Sequence, residues 1–363
     1  SAPVNKRILF VIDGLAGGGA EKTLLRLARH LESRGHAVEI ATLRGEQALP
    51  VPDGVELIAA HDTRSRRTRK FGEVARRARI LDSHLKGRGP WDLVVSTLLQ
   101  TDRIVARSSL ADEAWYRVPI HPSAAYIGSS RGMKRRRRLA RLRHTYTGRK
   151  IVGISEGVVR DLVENLGIRP SRSEVILNPF DIERIRRLAS EPCDREGRDY
   201  LVHVGRFNEQ KRHDRLLEAF ARSGFGGDLV IVGTGTSEQR RRLRESISER
   251  GLEARVDLPG FQTNPYPIIR HARALVLSSD YEGFGNVIVE SLVCGTPVVS
   301  TRCPSGPDEI LTGELARGLA DLDADSLAEA IDRVLADPPM ISEASVQRFA
   351  IETVAERYLA LAD

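Results

Sequence analysis

Apolar runs of four to six residues recur along this chain, each separated from the next by enough residues for one helix. They read as buried parallel strands, because an antiparallel strand with one wet face would alternate instead. In the first half, strands are predicted at 7–12, 38–43, 55–60, 92–97 and 150–154, with a short one at 174–177. Helical spacing covers 20–33, 71–86, 101–110 and 156–165, with Gly35 to stop the first helix and Ser155 to cap the last. A charged, aperiodic stretch at 190–199, carrying Pro192 and Gly197, is expected to be a linker. A second series follows, with strands at 200–204, 228–232, 255–258, 274–277 and 297–300. Its helices are predicted at 212–222, 237–249, 267–271, 286–294 and 326–335. The closing stretch, 345–361, places Phe349, Val354, Tyr358 and Leu361 at helical spacing. Alternating strand and helix signals predict an α/β protein with parallel sheets, and 363 residues suit two domains.

Composition narrows the class. The chain is 41% hydrophobic and only 5% aromatic, with no low-complexity tract. No apolar stretch approaches the roughly 20 residues that span a bilayer, and the start lacks the apolar centre of a signal peptide. Cys193, Cys294 and Cys303 make neither a disulfide framework nor a ligand-spaced metal cluster, so a reducing cytosol is expected.

Charge is distributed unevenly. Residues 1–180 hold 33 Lys and Arg against 18 Asp and Glu, a net +15; the remainder holds 23 against 31, a net −8. Such asymmetry predicts that the first half meets something anionic. Two clusters carry it. One contains Arg64, Arg66, Arg67, Arg69, Lys70, Arg76, Arg77 and Arg79; the other runs from Lys134 to Arg143, with Leu139 and Leu142 among its arginines. Basic side chains interleaved with apolar ones on a helix predict contact with an anionic membrane surface. Such charges also suit an acceptor's diphosphate, or simply a solvated arginine face.

The most informative segment is Asp280-Tyr281-Glu282-Gly283-Phe284-Gly285-Asn286-Val287-Ile288-Val289-Glu290. An acidic glycine loop between a buried strand and a helix is how open α/β sheets build ligand crevices. The first amides of that helix favour an anion, and Glu290, one turn in, is placed for a sugar hydroxyl. Upstream, Asp13-Gly14-Leu15-Ala16-Gly17-Gly18-Gly19-Ala20-Glu21 lets backbone amides approach a phosphate or sugar. Gly205-Arg206 and Lys211 put two cations near one point, as a departing diphosphate requires. Gly233-Thr234-Gly235, Gly260-Phe261 and Ser305-Gly306 are three further loops at predicted strand ends.

These motifs resemble those of glycosyltransferase family 4, retaining enzymes of the GT-B fold, over most of the chain. The resemblance rests on Glu282-Gly283-Phe284-Gly285-Asn286 with Glu290, Gly205-Arg206 with Lys211, Gly17-Gly18-Gly19-Ala20-Glu21, and the segment around Ser305 and Gly306. It implies two Rossmann-like domains facing across a cleft: an acceptor domain of 1–180 completed by a crossing C-terminal helix, 345–363, and a nucleotide-sugar domain of 181–344. Arg206 and Lys211 would hold the diphosphate, Glu282 the transferring sugar, and Glu290 the donor's hydroxyls. Gly17, Gly18, Gly19, Gly205, Gly233, Gly260, Phe261, Phe284, Gly285, Asn286, Val287, Ser305 and Gly306 would line the substrates.

The chain departs from the family at its cleft histidine. His121, in a proline-flanked loop with no acid after it, is the nearest candidate for a catalytic contact. No Asp-x-Asp pair is present in the loops expected to line the cleft, so neither metal nor cofactor is expected. The implied reaction moves a hexose or N-acetylhexosamine from a nucleoside diphosphate, with UDP the expected carrier, to a glycan hydroxyl. The implied acceptor is a lipid-linked oligosaccharide or lipopolysaccharide intermediate on the inner face of the cytoplasmic membrane. Nucleic acid is not an expected partner. The alternatives are a nucleotide-sugar 2-epimerase of the same fold and a non-catalytic polyanion-binding protein.

Overall fold

The computed structural model describes residues 4–45, 47–61 and 72–363. The chain folds as two compact units: one ends at Pro179 and resumes with Ile351–Asp363, and the other is Phe180–Ala350.

The first unit holds seven strands: β1 (Arg7–Ile12), β2 (Ala37–Thr42), β3 (Glu56–Ala59), β4 (Leu93–Thr97), β5 (Trp115–Val118), β6 (Lys150–Gly153) and β7 (Arg172–Val175). They form one parallel sheet in the order β3-β2-β1-β4-β5-β6-β7. β1 is buried on both faces, with Phe10 in register with Ile40 on one side and Val95 on the other. That double burial explains its uninterrupted apolar run. Helices α1 (Gly19–Ser33), α2 (Glu73–Leu85), α3 (Leu99–Val105) and α4 (Gly132–Tyr146) lie among these strands in sequence.

Periodicity alone misses β5, because Arg117 interrupts it. The guanidinium is nevertheless buried and satisfied. Nε donates to the Tyr358 hydroxyl at 3.1 Å, Nη1 to Thr97 Oγ1 at 3.3 Å and Nη2 to Asn178 Oδ1 at 2.7 Å. A buried charge is tolerated where hydrogen bonds replace water in this way.

The second unit repeats the plan with β8 (Tyr200–Val204), β9 (Asp228–Val232), β10 (Val256–Gly260), β11 (Leu275–Leu277), β12 (Val298–Thr301) and the two-residue edge β13 (Leu319–Ala320). Their order is β10-β9-β8-β11-β12-β13, again all parallel. Its core is a separate cluster built on Leu216, Leu217, Phe220, Ile231, Val276 and Ile331.

Two expectations are corrected. The stretch 190–199 is not a linker between units: it lies inside the second unit, after α5 (Ile182–Ala189). Asp181 caps that helix by accepting from Arg184 N–H at 3.1 Å, and Asn264 ties its end to the sheet side by donating to Leu188 O at 2.9 Å. The closing segment is not one helix but two, Glu343–Gln347 and Ile351–Leu359. Residues up to Ala350 stay with the second unit, where Phe180 N–H donates to Phe349 O at 2.8 Å. Ile351–Leu359 belongs to the first unit, and its Val354, Ala355 and Tyr358 join the core around Leu24, Leu27 and Leu31. The three cysteines are free thiols, and burial pushes those of Cys294 and Cys303 up to about 12.

Both tryptophans, Trp91 and Trp115, lie in the first unit, so tryptophan fluorescence follows its unfolding alone. Tyr358→Ala removes a buried ring and a partner of Arg117, which should cost that unit about 3–5 kcal/mol. A denaturant midpoint unchanged by the substitution would mean that the C-terminal helix does not support this core.

Candidate active site

In the second sheet the winding direction reverses between β8 and β11. Loops leaving the carboxyl ends of two such strands diverge and leave a crevice. After β8 the chain turns through Gly205 and Arg206 into a short helical turn, Glu209–Lys211, capped by the Asn208 side chain. After β11 it runs through Ser278 to Glu282. The two loops are stitched together: Asp280 N–H donates to Gln210 O at 3.0 Å, Gln210 Nε2 to Tyr281 O at 2.8 Å, and Ser278 Oγ to Lys211 O at 2.6 Å.

This stitching brings together Lys211 and Glu282, which are 71 residues apart in sequence. Lys211 Nζ lies 2.7 Å from Glu282 Oε1, and Ser279 Oγ donates to the same oxygen at 2.7 Å. The two side chains are only 16% and 10% exposed, so the pair is shielded from bulk water. Both bonds go to Oε1, which leaves Oε2 to accept from another donor. Arg206 is exposed and has no ion-pair partner among the described residues.

Close backbone packing shapes the crevice. A Cβ on Gly233 would fall 1.9 Å from Gly205 O, and one on Gly306 1.8 Å from Phe284 O. Both glycines also have positive φ, 146° and 139°, so no other residue fits either position. Gly260 ends β10, and Phe261 after it is 72% exposed. Ser305 adopts φ 66°, a costly conformation for a residue with a side chain, and its Oγ is buried without a partner among the described residues. Strain and an unsatisfied hydroxyl at one position are characteristic of ligand sites. Gly285 precedes α6 (Asn286–Val293), whose first residues Asn286 and Val287 remain accessible and whose fifth is Glu290. The Phe284 ring, by contrast, is buried against Phe180 and Phe349 at centroid distances of 6.4 and 5.9 Å, so only its backbone faces the crevice.

Sequence reasoning misses two histidines beneath this site. His203 and His213 pack ring to ring at 4.9 Å. The carbonyl of Val276 lies 2.8 Å from His203 Nδ1 and can only accept, so Nδ1 carries the proton. Burial holds His203 well below the usual imidazole range, with the neighbouring His213 pushing the same way. Burial, then the charge of Lys211, lowers His213 to about 4. Two neutral rings thus support the lysine without adding a cation.

In the first unit, Gly18 caps α1 in an extended conformation, with Gly17 before it at φ 109° and Gly19 opening the helix. His121 is buried, and its missing acid is supplied by Asp161, 40 residues on, with Nε2 to Oδ1 at 3.6 Å. Ala124 N–H donates to His121 Nδ1 at 3.3 Å, which leaves the ring's proton on Nε2, facing that carboxylate. Asp161 is in turn held by the backbone and hydroxyl of Ser123. Burial lowers His121 despite Asp161. The sequence signal for this pair was the Asp after the cap Ser155, which only the β5–β6 pairing brings near.

The second basic run divides into three sets on α4. Arg138 and Arg143 cap two neighbouring turns, donating to Ile127 O at 3.3 Å and Leu166 O at 2.9 Å. Arg137 and Arg141 line a cavity, and Lys134, Arg135 and Arg136 are exposed. Leu142 is fully buried, so it cannot be the apolar part of a membrane-facing surface; the exposed large apolar side chain on this helix is Met133. Of the first run, Arg64, Arg66, Arg67, Arg69 and Lys70 lie outside the described residues, while Arg76 and Arg77 pair with Glu73. Among the described residues no three His, Cys, Asp or Glu side chains converge as a metal site. No described helix is long and apolar enough to cross a membrane.

Residues 17–184 match the family described as Glycosyltransferase Family 4, and residues 188–350 match Glycosyl transferases group 1. Among curated proteins, the chain is 34% identical over 184 residues to an N-acetylgalactosamine-N,N'-diacetylbacillosaminyl-diphospho-undecaprenol 4-alpha-N-acetylgalactosaminyltransferase of Campylobacter jejuni, covering 50% of each chain. It is 30% identical over 174 residues to the lipopolysaccharide 1,6-galactosyltransferase of Salmonella typhimurium, covering 45% of this chain and 47% of that protein. These matches thus span about half the length of the curated relatives. Among solved structures, Anabaena HepE in complex with UDP and glucose is similar with a TM-score of 0.73 at 19% identity, covering 98% of this chain and 99% of that one. The lipopolysaccharide outer core galactosyltransferase WaaB in its apo form gives a TM-score of 0.76 at 19% identity, covering 98% of both chains. The fold is theirs.

The buried histidines predict acid sensitivity in the second unit. His213 titrates at about 4 when folded and near 6.5 when unfolded, so between these values the unfolded chain binds more protons. Stability from this source is complete above pH 6.5 and is lost as pH falls toward 4. His213→Phe should flatten that slope in thermal melts of the second unit; an unchanged slope would assign the acid sensitivity elsewhere.

Proposed function

The chain belongs to glycosyltransferase family 4, and on that premise we propose a retaining, metal-independent transfer of a hexose or N-acetylhexosamine from UDP to a glycan hydroxyl. The observation that carries this reading is the shielded Lys211–Glu282 pair at the second sheet's reversal point, with Arg206, free of ion pairs among the described residues, on the loop before it. The match to relatives that act on lipid-linked and lipopolysaccharide acceptors supports an acceptor of that kind, reached at the inner face of the cytoplasmic membrane. The exposed Lys134, Arg135 and Arg136 are the side chains suited to an anionic leaflet there.

In this reading the diphosphate docks against Arg206 and Lys211. The lysine has three donors, so it can hold a phosphate oxygen while keeping Glu282. Glu282 Oε2 accepts from a hydroxyl of the transferring sugar, and Glu290 holds ribose hydroxyls. As the bond from C1 to the phosphate oxygen breaks, both cations stabilise the charge arriving on that oxygen. The acceptor hydroxyl attacks C1 from the same face, its proton passes to the leaving phosphate, and configuration is retained. His121, oriented by Asp161, is the first unit's candidate for a catalytic contact.

Lys211→Ala should lower turnover by roughly two to three decades, the scale of losing one oriented donor to developing charge. Turnover preserved in that protein would remove the lysine from the mechanism. Activity should also survive excess EDTA, since two cations do the work of a divalent ion; loss on chelation, restored by magnesium or manganese, would contradict the metal-independent reading.

A further inference from the structure

The first unit contains a cavity of about 780 Å³ between the start of α2, α3 and α4, and its walls are cationic. Arg137, Arg141 and His144 reach it from successive turns of α4, Arg103 and Arg107 from α3 and the residues just after it, and Arg149 from the end of the following turn. Arg149 is held by Asp112 at 2.9 Å. The other four arginines have no carboxylate partner among the described residues. The one acid in the wall among the described residues, Glu73, is already engaged by Arg76 and Arg77, with hydrogen bonds of 2.9 to 3.1 Å. Crowding is visible in Arg103, which burial and then the charges of Arg141 and Arg107 hold below the ordinary guanidinium range.

Four guanidiniums without a carboxylate partner among the described residues thus converge on one cavity. We propose that this cavity is a binding site for a condensed phosphate, a group carrying at least two linked phosphates. A carboxylate or a single phosphodiester would neutralise only one cation. A diphosphate offers several oxygens and more than one charge to guanidinium forks, whose planar geometry matches phosphate oxygens in pairs. Among the described residues the wall's one aromatic ring is the His144 imidazole, set among the arginines. The cavity's lining residues are separate from the exposed Lys134, Arg135 and Arg136. Its volume falls in the ordinary range of ligand pockets, about 300–1,000 Å³, and leaves space beside the phosphates.

The inference does not depend on the donor site, and one set of titrations separates the two. Inorganic pyrophosphate is titrated into the full protein with UDP present in excess, so that any nucleotide site is already filled. The expected result is one pyrophosphate bound, weakened roughly tenfold or more by Arg137→Ala with Arg141→Ala, since each change removes a charge-assisted fork. UDP affinity, measured in the same two proteins, should not change. Geranyl diphosphate in place of pyrophosphate distinguishes the source: tighter binding marks the diphosphate of a lipid-linked molecule, equal binding a free condensed phosphate, and either sustains the site. Equal pyrophosphate affinity in parent and variant, no binding beyond UDP, or orthophosphate binding as well as pyrophosphate would overturn it. So would a variant that keeps pyrophosphate but loses sedimentation with phosphatidylglycerol vesicles, which would make the arginines a membrane contact. Both substituted residues are exposed, and relieving repulsion should leave the melting temperature equal or higher. Should the double variant unfold, Arg107→Ala carries the same titration. If UDP fails to bind, the donor reading falls while the pyrophosphate comparison still decides the cavity.

Discussion

The Lys211–Glu282 pair fixes the chemistry available to the second unit. Its members arrive on separate loops, and neither loop is regular enough to hold its charge unaided. The sheet supplies the positions, because reversal of winding between β8 and β11 leaves the two loops side by side. Three hydrogen bonds between the loops then hold the lysine against the carboxylate. Removing either partner would strand a charge with little water around it, a cost of about 3–5 kcal/mol for a buried pair. The neutral histidines below complete the arrangement: a protonated imidazole there would repel the same lysine that a diphosphate needs.

The first unit follows a different electrostatic rule. Its net charge is strongly positive, yet the arginines of α4 do three unlike things. Two cap neighbouring turns, two face a cavity, and with Lys134 two more face solvent. Composition alone makes these residues look like one patch. Helical geometry separates them, since side chains three and four apart share a face while adjacent ones do not. The same geometry sends Leu142 inward, so the apolar contribution expected of a membrane helix is missing from that position.

Much of the architecture was legible in the sequence because parallel strands are buried on both faces and read as plain apolar runs. β1, β8 and β9 fall where the pattern places them. β5 was hidden because its centre is Arg117, whose hydrogen bonds come from Thr97, Asn178 and Tyr358, residues that no local pattern connects to it. The break before Ile351 was hidden for a similar reason: helical spacing continues through it while the backbone changes unit. In the candidate site, the glycine and charge motifs lie in loops that follow strands of the two sheets. Which oxygen of Glu282 the lysine engages, and that Asp161 serves His121, depend on pairings distant in sequence. The family resemblance likewise named Phe284, but only packing reveals that its ring belongs to an aromatic cluster rather than to the crevice.

The central claim, that the reversal point of the second sheet holds a nucleoside diphosphate, is tested most directly by calorimetric titration of UDP into the parent and into Arg206→Ala. Arg206 is exposed and free of ion pairs among the described residues, so its removal changes the site without disturbing the core. The account predicts a single UDP site in the parent, weakened roughly tenfold or more when the arginine is removed, as expected for a charge-assisted phosphate contact. Equal UDP affinity in the two proteins, or no UDP binding in the parent, would contradict it.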